Sequence, residues 1–482
     1  MTDRSTDRPN KSRRGFLSSA GIGATGLAVS GLLGRSALAQ SAGTVNLGTL
    51  GAGHFPARAR RVICLHMLGA ISHVDTFDYK PTLVEMTGQE IPPSVRDTQR
   101  ISTMSNGQSS FPIVGPLLPF RQRGESGAWV SDFLPYIGSI ADDVCFVKTL
   151  YTEHVNHDPA SKFLHSGFQL AGRPSAGAWV SYALGSDNQD LPNYVVMNAG
   201  NAGGVPQDSA IWGSGFLPSH HQGVQFRAAD DPVLFVNNPR GVDRANRRSM
   251  LDSLGRLAAL QYDESHDPEV LSRVTQYEMA YRMQASVPEI ADISDEPDYI
   301  LDMYGPDVEV PGTFARNCLI ARRLAERGVK FQTLFGLGWD HHLTIRQSFP
   351  LRCREIDQPS AALVADLKQR GLLEDTLVMF GSEFGRTPFA QGDIGSPTMG
   401  RDHHGGCFTW WFAGGGTKAG YTHGETDEFS YNIVESPVHI HDLNATLMHI
   451  LGIDHERLTF RFQGRDYRLT DVHGNVVHEI LA

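Results

Sequence analysis

Short apolar runs separated by helical patterns constrain this chain more than any other feature. The runs at 61–68 (RVICLHML), 144–150, 194–197, 329–335, 376–381 and 408–413 are too short for helices and too continuous for half-exposed strands, so they predict buried strands. Helical patterns over 175–184, 243–262, 268–284, 315–327, 354–370 and 441–451 lie among them. That alternation predicts an α/β fold, a mainly parallel sheet sandwiched by helices, with its polar site at the carboxyl ends of the strands. Residues 198–311 depart from the pattern. They begin Gly-rich, show few strand signals and continue as charged helices, which predicts a mostly helical insertion or cap.

The first 39 residues stand apart from this fold. Ser12-Arg13-Arg14-Gly15-Phe16-Leu17 is a twin-arginine pattern, 20–33 is an uncharged Gly/Ala/Leu-rich run, and Ala37-Leu38-Ala39 offers the small residues that a signal peptidase reads. The expectation is a twin-arginine signal peptide at 1–39, with a mature chain of 40–482 that reaches the periplasm or the medium through the twin-arginine export machinery. No run reaches the ~20 predominantly apolar residues of a membrane helix, so no stable span is expected. Export in the folded state suits a protein loaded with a metal or cofactor beforehand.

The leader holds six basic and two acidic residues, so of the 42 basic and 53 acidic residues in the chain 36 and 51 remain, a net charge of −15. That balance argues against nucleic acid and anionic membrane surfaces as partners, while a bound metal could still reverse the local field for an anionic substrate. The five cysteines form no C-x-x-C pair, so a disulfide framework is not expected; Cys64, Cys145 and Cys407 lie in apolar runs and read as small buried hydrophobes.

Five polar clusters follow strand-like runs: 69–81 with Asp75 and Asp78, 154–159 with His154 and His157, 338–342 with Asp340, His341 and His342, 381–388 with Glu383 and Arg386, and 400–406 with Arg401, Asp402, His403 and His404. Each has an ordinary reading. Two aspartates in a loop form turns, histidines solvate, and Glu383 with Arg386 could simply fix a turn. Carboxylates and imidazoles are also what a catalytic divalent metal uses, and a guanidinium fork fits a phosphate or sulfate oxygen pair. Together the clusters suit a single metal centre assembled from distant loops, with 400–406 as a ligand loop.

These segments resemble the bacterial domain of unknown function 1501 family, through DTFDYKP at 75–81, GWDHH at 338–342, SEFGRTP at 382–388, GRDH at 400–403 and HDLNAT at 441–446. The family looks related to the alkaline phosphatase and sulfatase superfamily, whose members bind one or two divalent metals and hydrolyse phosphate or sulfate esters. The resemblance implies an alkaline phosphatase-like fold and divalent ions drawn from Zn, Mn, Ca or Mg. It implies Asp75 and Glu383 on one metal, Asp340, His342 and His403 on the other, and Arg386 on a substrate oxygen. It puts His157 at the position of the nucleophile, where relatives carry Ser, Thr or a modified Cys or Ser. Phe384 stands where relatives have a His or Asn ligand, and Asp340 and His342 are closer in sequence than the usual pair, which leaves one metal open as well as two.

Two functions follow. The first is an exported, metal-dependent hydrolase of phosphate or sulfate esters, acting on an anionic small molecule or polysaccharide, with His157 or a water as nucleophile. The second is a non-catalytic relative that binds or assembles. A redox protein would also suit twin-arginine export, but scattered cysteines and no dinucleotide-binding glycine pattern weigh against it.

Overall fold

The computed structural model describes residues 48–482 except 103, 201–204, 206–207, 228–231 and 234–235, all within the compact unit Asn46–Ala482. The twin-arginine pattern and its cleavage site lie outside the described residues.

Nine strands form the central sheet. In chain order they are β1 (Arg61–Leu68), β2 (Val144–Tyr151), β3 (Tyr194–Ala199), β4 (Val224–Phe226), β5 (Phe331–Leu337), β6 (Thr376–Gly381), then, after a separate hairpin β7 (Gly385–Gln391) and β8 (Gly400–His404), β9 (Phe408–Ala413), β10 (Tyr421–His423) and β11 (Val438–His439). The order across the sheet is β10-β2-β9-β6-β1-β5-β3-β4, with β11 also on β2. Only β9 runs antiparallel to its neighbours. β1 is central, pairing in parallel with β5 and β6. Its continuous apolar run follows from burial on both faces.

Alternation along β1 feeds two cores. Ile63, Leu65 and Met67 point to one and Val62, Cys64 and Leu68 to the other. The first is covered by α5 (Phe314–Glu326) and α6 (Ile345–Gln369). The second is covered by α1 (His157–Ser166), α2 (Ala176–Leu184) and α7 (Ile440–Ile450). The molecule is therefore α/β, a mainly parallel sheet between helices. Truncating a fully buried strand residue such as Leu65 to Ala would cost ~2–5 kcal/mol.

In the segment 198–311, β4 extends the sheet edge, and two long helices follow, α3 (Arg244–Ser265) and α4 (Pro268–Ala291). The last turns of α4 join the first core through Met283, Val287 and Ile290. Asp243 and Asp267 cap the two helices, accepting from the backbone N–H of Asn246 and Glu269. All five cysteines are buried and free. Among the described residues no helix is long and apolar enough to cross a membrane.

One polar segment differs from expectation. Residues 400–404 are not a loop but strand β8, paired antiparallel with β7 and bulged between Arg401 and His403. Its polar side chains are buried, Arg401 on Asp75 and Asp402 accepting from Ser102, which hydropathy cannot register. The bulge re-aims His403 while the register places it opposite Arg386.

Candidate metal centre

Because β2, β5 and β6 are parallel in the sheet frame, the residues that follow them emerge at one edge. β5 leads into Asp340 and His342, and β6 into Glu383. β2 leads through a short loop into His157, the first residue of α1. Asn156, extended at φ −113°, precedes that helix without a side-chain capping bond, and the helix ends at Gly167 in the left-handed region at φ +67°. A Cβ on Gly167 would meet the carbonyl oxygen of Leu469 at 2.0 Å, so only glycine closes α1 there.

His157, Asp340, His342 and His403 each offer one ligand atom, all within 4.8 Å of one another. Each imidazole is anchored by its other nitrogen. His157 Nδ1 donates to Glu383 Oε1 at 2.6 Å, His342 Nδ1 to Gln391 Oε1 at 2.5 Å, and His403 Nδ1 to the Val155 carbonyl at 2.5 Å. A carboxylate, an amide oxygen and a carbonyl can only accept. Each Nδ1 therefore carries the proton and each Nε2 keeps its lone pair.

Those lone pairs face one another. His342 Nε2 and His403 Nε2 lie 2.8 Å apart, and Asp340 Oδ1 lies 3.2, 3.1 and 3.3 Å from the Nε2 atoms of His157, His342 and His403. His157 Nε2 is buried without a hydrogen-bond partner. Four acceptors converging with no proton between them repel unless a cation or extra protons sit among them. The edge of a tetrahedron with metal–ligand bonds of ~2.0–2.1 Å is about 3.3 Å, which the three distances from Asp340 Oδ1 match, so these four side chains suit a single divalent ion once small side-chain shifts even out the remaining edges.

The surroundings fix this arrangement. Glu383, fully buried, accepts from His157, from His66 Nε2 at 3.0 Å and from the Gly69 N–H at 2.9 Å. Burial alone would raise its pKa, but the hydrogen bonds from His157 and His66 hold it well below the usual carboxylate range. His66 in turn accepts at Nδ1 from His165 Nε2, 2.8 Å away. Gly69, at φ +112°, brings β1 against the Asp340 loop, where a Cβ would meet the Asp340 backbone nitrogen at 2.6 Å. Asp340 is likewise held far below its ordinary range: burial opposes this, and His157, His403 and Arg386 outweigh it. Burial, reinforced by Arg386, lowers His342 and takes His403 down to about 4, which keeps both as neutral ligands at neutral pH. His157 is the exception, raised against its burial by Asp340 and Glu383. The Phe384 ring stacks on His157 at 5.0 Å and tilts against His403 at 4.6 Å, giving the cluster an apolar wall. Solvent reaches it from the side of Asp340 and His342, whose side chains are 25% and 14% exposed.

The residues expected at the site separate into two groups. Asp340, His342, His403 and His157 come together, with Glu383 one shell out, behind His157. Asp75 lies elsewhere, its Oδ2 accepting from Arg401 Nε at 2.8 Å and Ser72 Oγ at 2.6 Å, and its Oδ1 from Leu117 N at 2.9 Å and Arg401 Nη2 at 3.1 Å. Asp75 and Glu383, which the resemblance set on a shared metal, thus have their oxygens engaged by different protein donors. Arg386 touches the cluster from within: Nη2 meets Asp340 Oδ1 at 2.7 Å, and its nitrogens also donate to the carbonyls of Gly69, Ala70, Trp339 and Arg401. Fully buried, it has no face to offer an anion. Sequence reasoning passed over His66, His165 and Gln391. The signal for His66 was its place as the lone imidazole in an apolar strand; nothing local marks the other two.

A family model described as "Protein of unknown function (DUF1501)" matches residues 59–481. No curated protein matches the sequence. Among solved structures, the chain is similar to the sulfatase PsFucS1 from Pseudoalteromonas sp., with 14% identity over 83% of this chain and 69% of that one and a TM-score of 0.34. It is similar to the lipoteichoic acid synthase LtaP from Listeria monocytogenes, with 10% identity over 83% and 74% and a TM-score of 0.35. It is also similar to the alkaline phosphatase of the Antarctic bacterium TAB5, with 12% identity over 82% and 98% and a TM-score of 0.31. Similarity of this degree speaks to neither activity nor substrate.

Proposed function

The chain belongs to the DUF1501 family, and we propose that it is an exported metal-dependent hydrolase of phosphate or sulfate esters, built on a single-metal centre of His157, Asp340, His342 and His403. The observation that carries the metal is the convergence of three imidazole lone pairs on one carboxylate oxygen, with every Nδ1 proton already committed elsewhere. Three nitrogens and one oxygen suit Zn or Mn better than Ca or Mg, which favour all-oxygen shells. A divalent ion held there polarises an ester oxygen and lowers the pKa of a water it binds.

The protein's own groups do the rest. Glu383 fixes the His157 tautomer and makes the ring a stronger donor to a cation, as outer-shell carboxylates do. Arg386 orients Asp340 and partly balances its charge. In this reading His157 is a ligand rather than a nucleophile, since both ring nitrogens are already directed, one at Glu383 and one at the cluster. Metal uptake displaces the proton that Asp340 and Glu383 favour on His157, so affinity falls as pH is lowered.

A second reading is favoured by two specific observations. Arg386 is internalised, and the cluster contains no hydroxyl or thiol. A binding protein that keeps the metal without turnover fits both. Assays of the metal-loaded protein with 4-nitrophenyl phosphate and 4-nitrophenyl sulfate separate the two. Turnover that disappears in Asp340→Asn supports the hydrolase. Full metal occupancy with no turnover of either ester eliminates it and leaves the binding protein. Export rests on the twin-arginine run: Arg13→Lys with Arg14→Lys should hold the chain in the cytoplasm, and unchanged export would refute that route.

A further inference from the structure

Helix α3 leaves a run of large apolar residues uncovered along one side. The stripe turned away from solvent carries the buried Leu251 and the half-covered Gly255, Ala258 and Tyr262, and Arg248 reaches Glu278 of α4. A neighbouring face, about 100° round the helix, exposes Met250, Leu254 and Leu257, at 48%, 42% and 63%, with Leu260 beyond it at 65%. Met250, Leu254, Leu257 and Gln261 are spaced by four, three and four residues. That is the seam of a helix pair, and isolated surface leucines would not need this spacing.

The charges on the same helix say what covers the seam. Its amino end carries Arg244, Arg247 and Arg248, and its carboxyl end Asp263 and Glu264. A second copy laid antiparallel brings Leu254 opposite Leu257, Met250 opposite Gln261 and Arg247 opposite Glu264. The two leucines and the opposite charges match in one register. A parallel pair would set arginine against arginine. A single anionic surface would suit the amino end and be repelled by the other. We propose that α3 is a self-association surface and that the chain pairs with a second copy through a two-fold, antiparallel α3–α3 contact. Such a contact is self-complementary, as an isologous interface requires.

The test is sedimentation velocity of the purified full-length protein over a range of concentrations. A concentration-dependent dimer is expected, and Leu254→Glu with Leu257→Glu weakens it by roughly 100-fold or more, since each change is felt twice. Both positions are exposed, so circular dichroism should show an unchanged fold. Arg247→Glu and Glu264→Arg should each weaken the dimer, and together restore it, which only the antiparallel register predicts. A monomer at every concentration, or a dimer indifferent to the two leucine changes, overturns the proposal. So does a monomer whose stripe instead binds vesicles of anionic lipid.

Discussion

Two aspartates near the same edge of the sheet, Asp75 fully buried and Asp340 partly so, are treated in opposite ways. Asp75 is matched by donors: Arg401, Ser72 and the Leu117 N–H take both its oxygens, and Arg401 satisfies its remaining nitrogens on the carbonyls of Val114, Gly115 and Thr387. Asp340 is surrounded by acceptors: three Nε2 atoms crowd its Oδ1, and only Arg386 answers from the other side. A buried charge with a complete set of partners holds structure together. A partly buried charge among surplus lone pairs is a place kept for a cation. Residue type does not separate the two, since both are aspartates that follow strands; the balance of donors and acceptors around each one does.

That contrast is open to breakage in order of effect. Removing a ligand comes first: His403→Ala or Asp340→Asn should abolish stoichiometric metal, read by elemental analysis, and leave the denaturant midpoint of the metal-free protein nearly unchanged. Asp75→Ala should do the reverse. It strands Arg401 in the interior at a cost of ~3–5 kcal/mol in a urea titration, with metal content retained in the folded fraction. If Asp75→Ala instead empties the site, the two carboxylates are not separate in role. Glu383→Gln sharpens the comparison from between: with the ligands intact but His157 less firmly oriented, metal affinity should drop ~10–100-fold in a competition titration.

The smallest effect is a pH dependence of the metal-free fold. Burial lowers His404 to about 3 and His221 to about 2. Both stay neutral in the folded state while the unfolded chain protonates near pH ~6.5. Their folded pKa values are depressed, so the stability they confer is present above pH ~6.5 and is lost as pH falls toward about 3. Each removes roughly 1 kcal/mol by about pH 5.5. A denaturant midpoint flat from neutral pH to about 4.5 would contradict this.

Much of the fold was legible because β1, β6 and β9 are continuous apolar runs bounded by polar residues, and the structure gives them the same limits as the sequence does. α6 was read as starting nine residues late, since Pro350 lies in its first turns and interrupts the helical pattern. Strand β8 was hidden by its own chemistry: a buried strand of Gly, Arg, Asp and His looks like a loop until Arg401 is seen on Asp75. The cluster residues Asp340, His342 and His403 stood out as acids and imidazoles after strands. Their anchors did not, because Gln391 and the Val155 carbonyl acquire meaning only through partners far away in the chain. The pairing of Asp75 with Arg401 is equally invisible from local sequence.

The central claim is that one divalent ion belongs among His157, Asp340, His342 and His403. Elemental analysis of the protein purified without chelators, beside its His403→Ala variant, tests it most directly. A single equivalent of Zn or Mn in the parent and none in the variant is the predicted result. Two equivalents, or no metal taken up by the folded parent even when it is supplied, would contradict it.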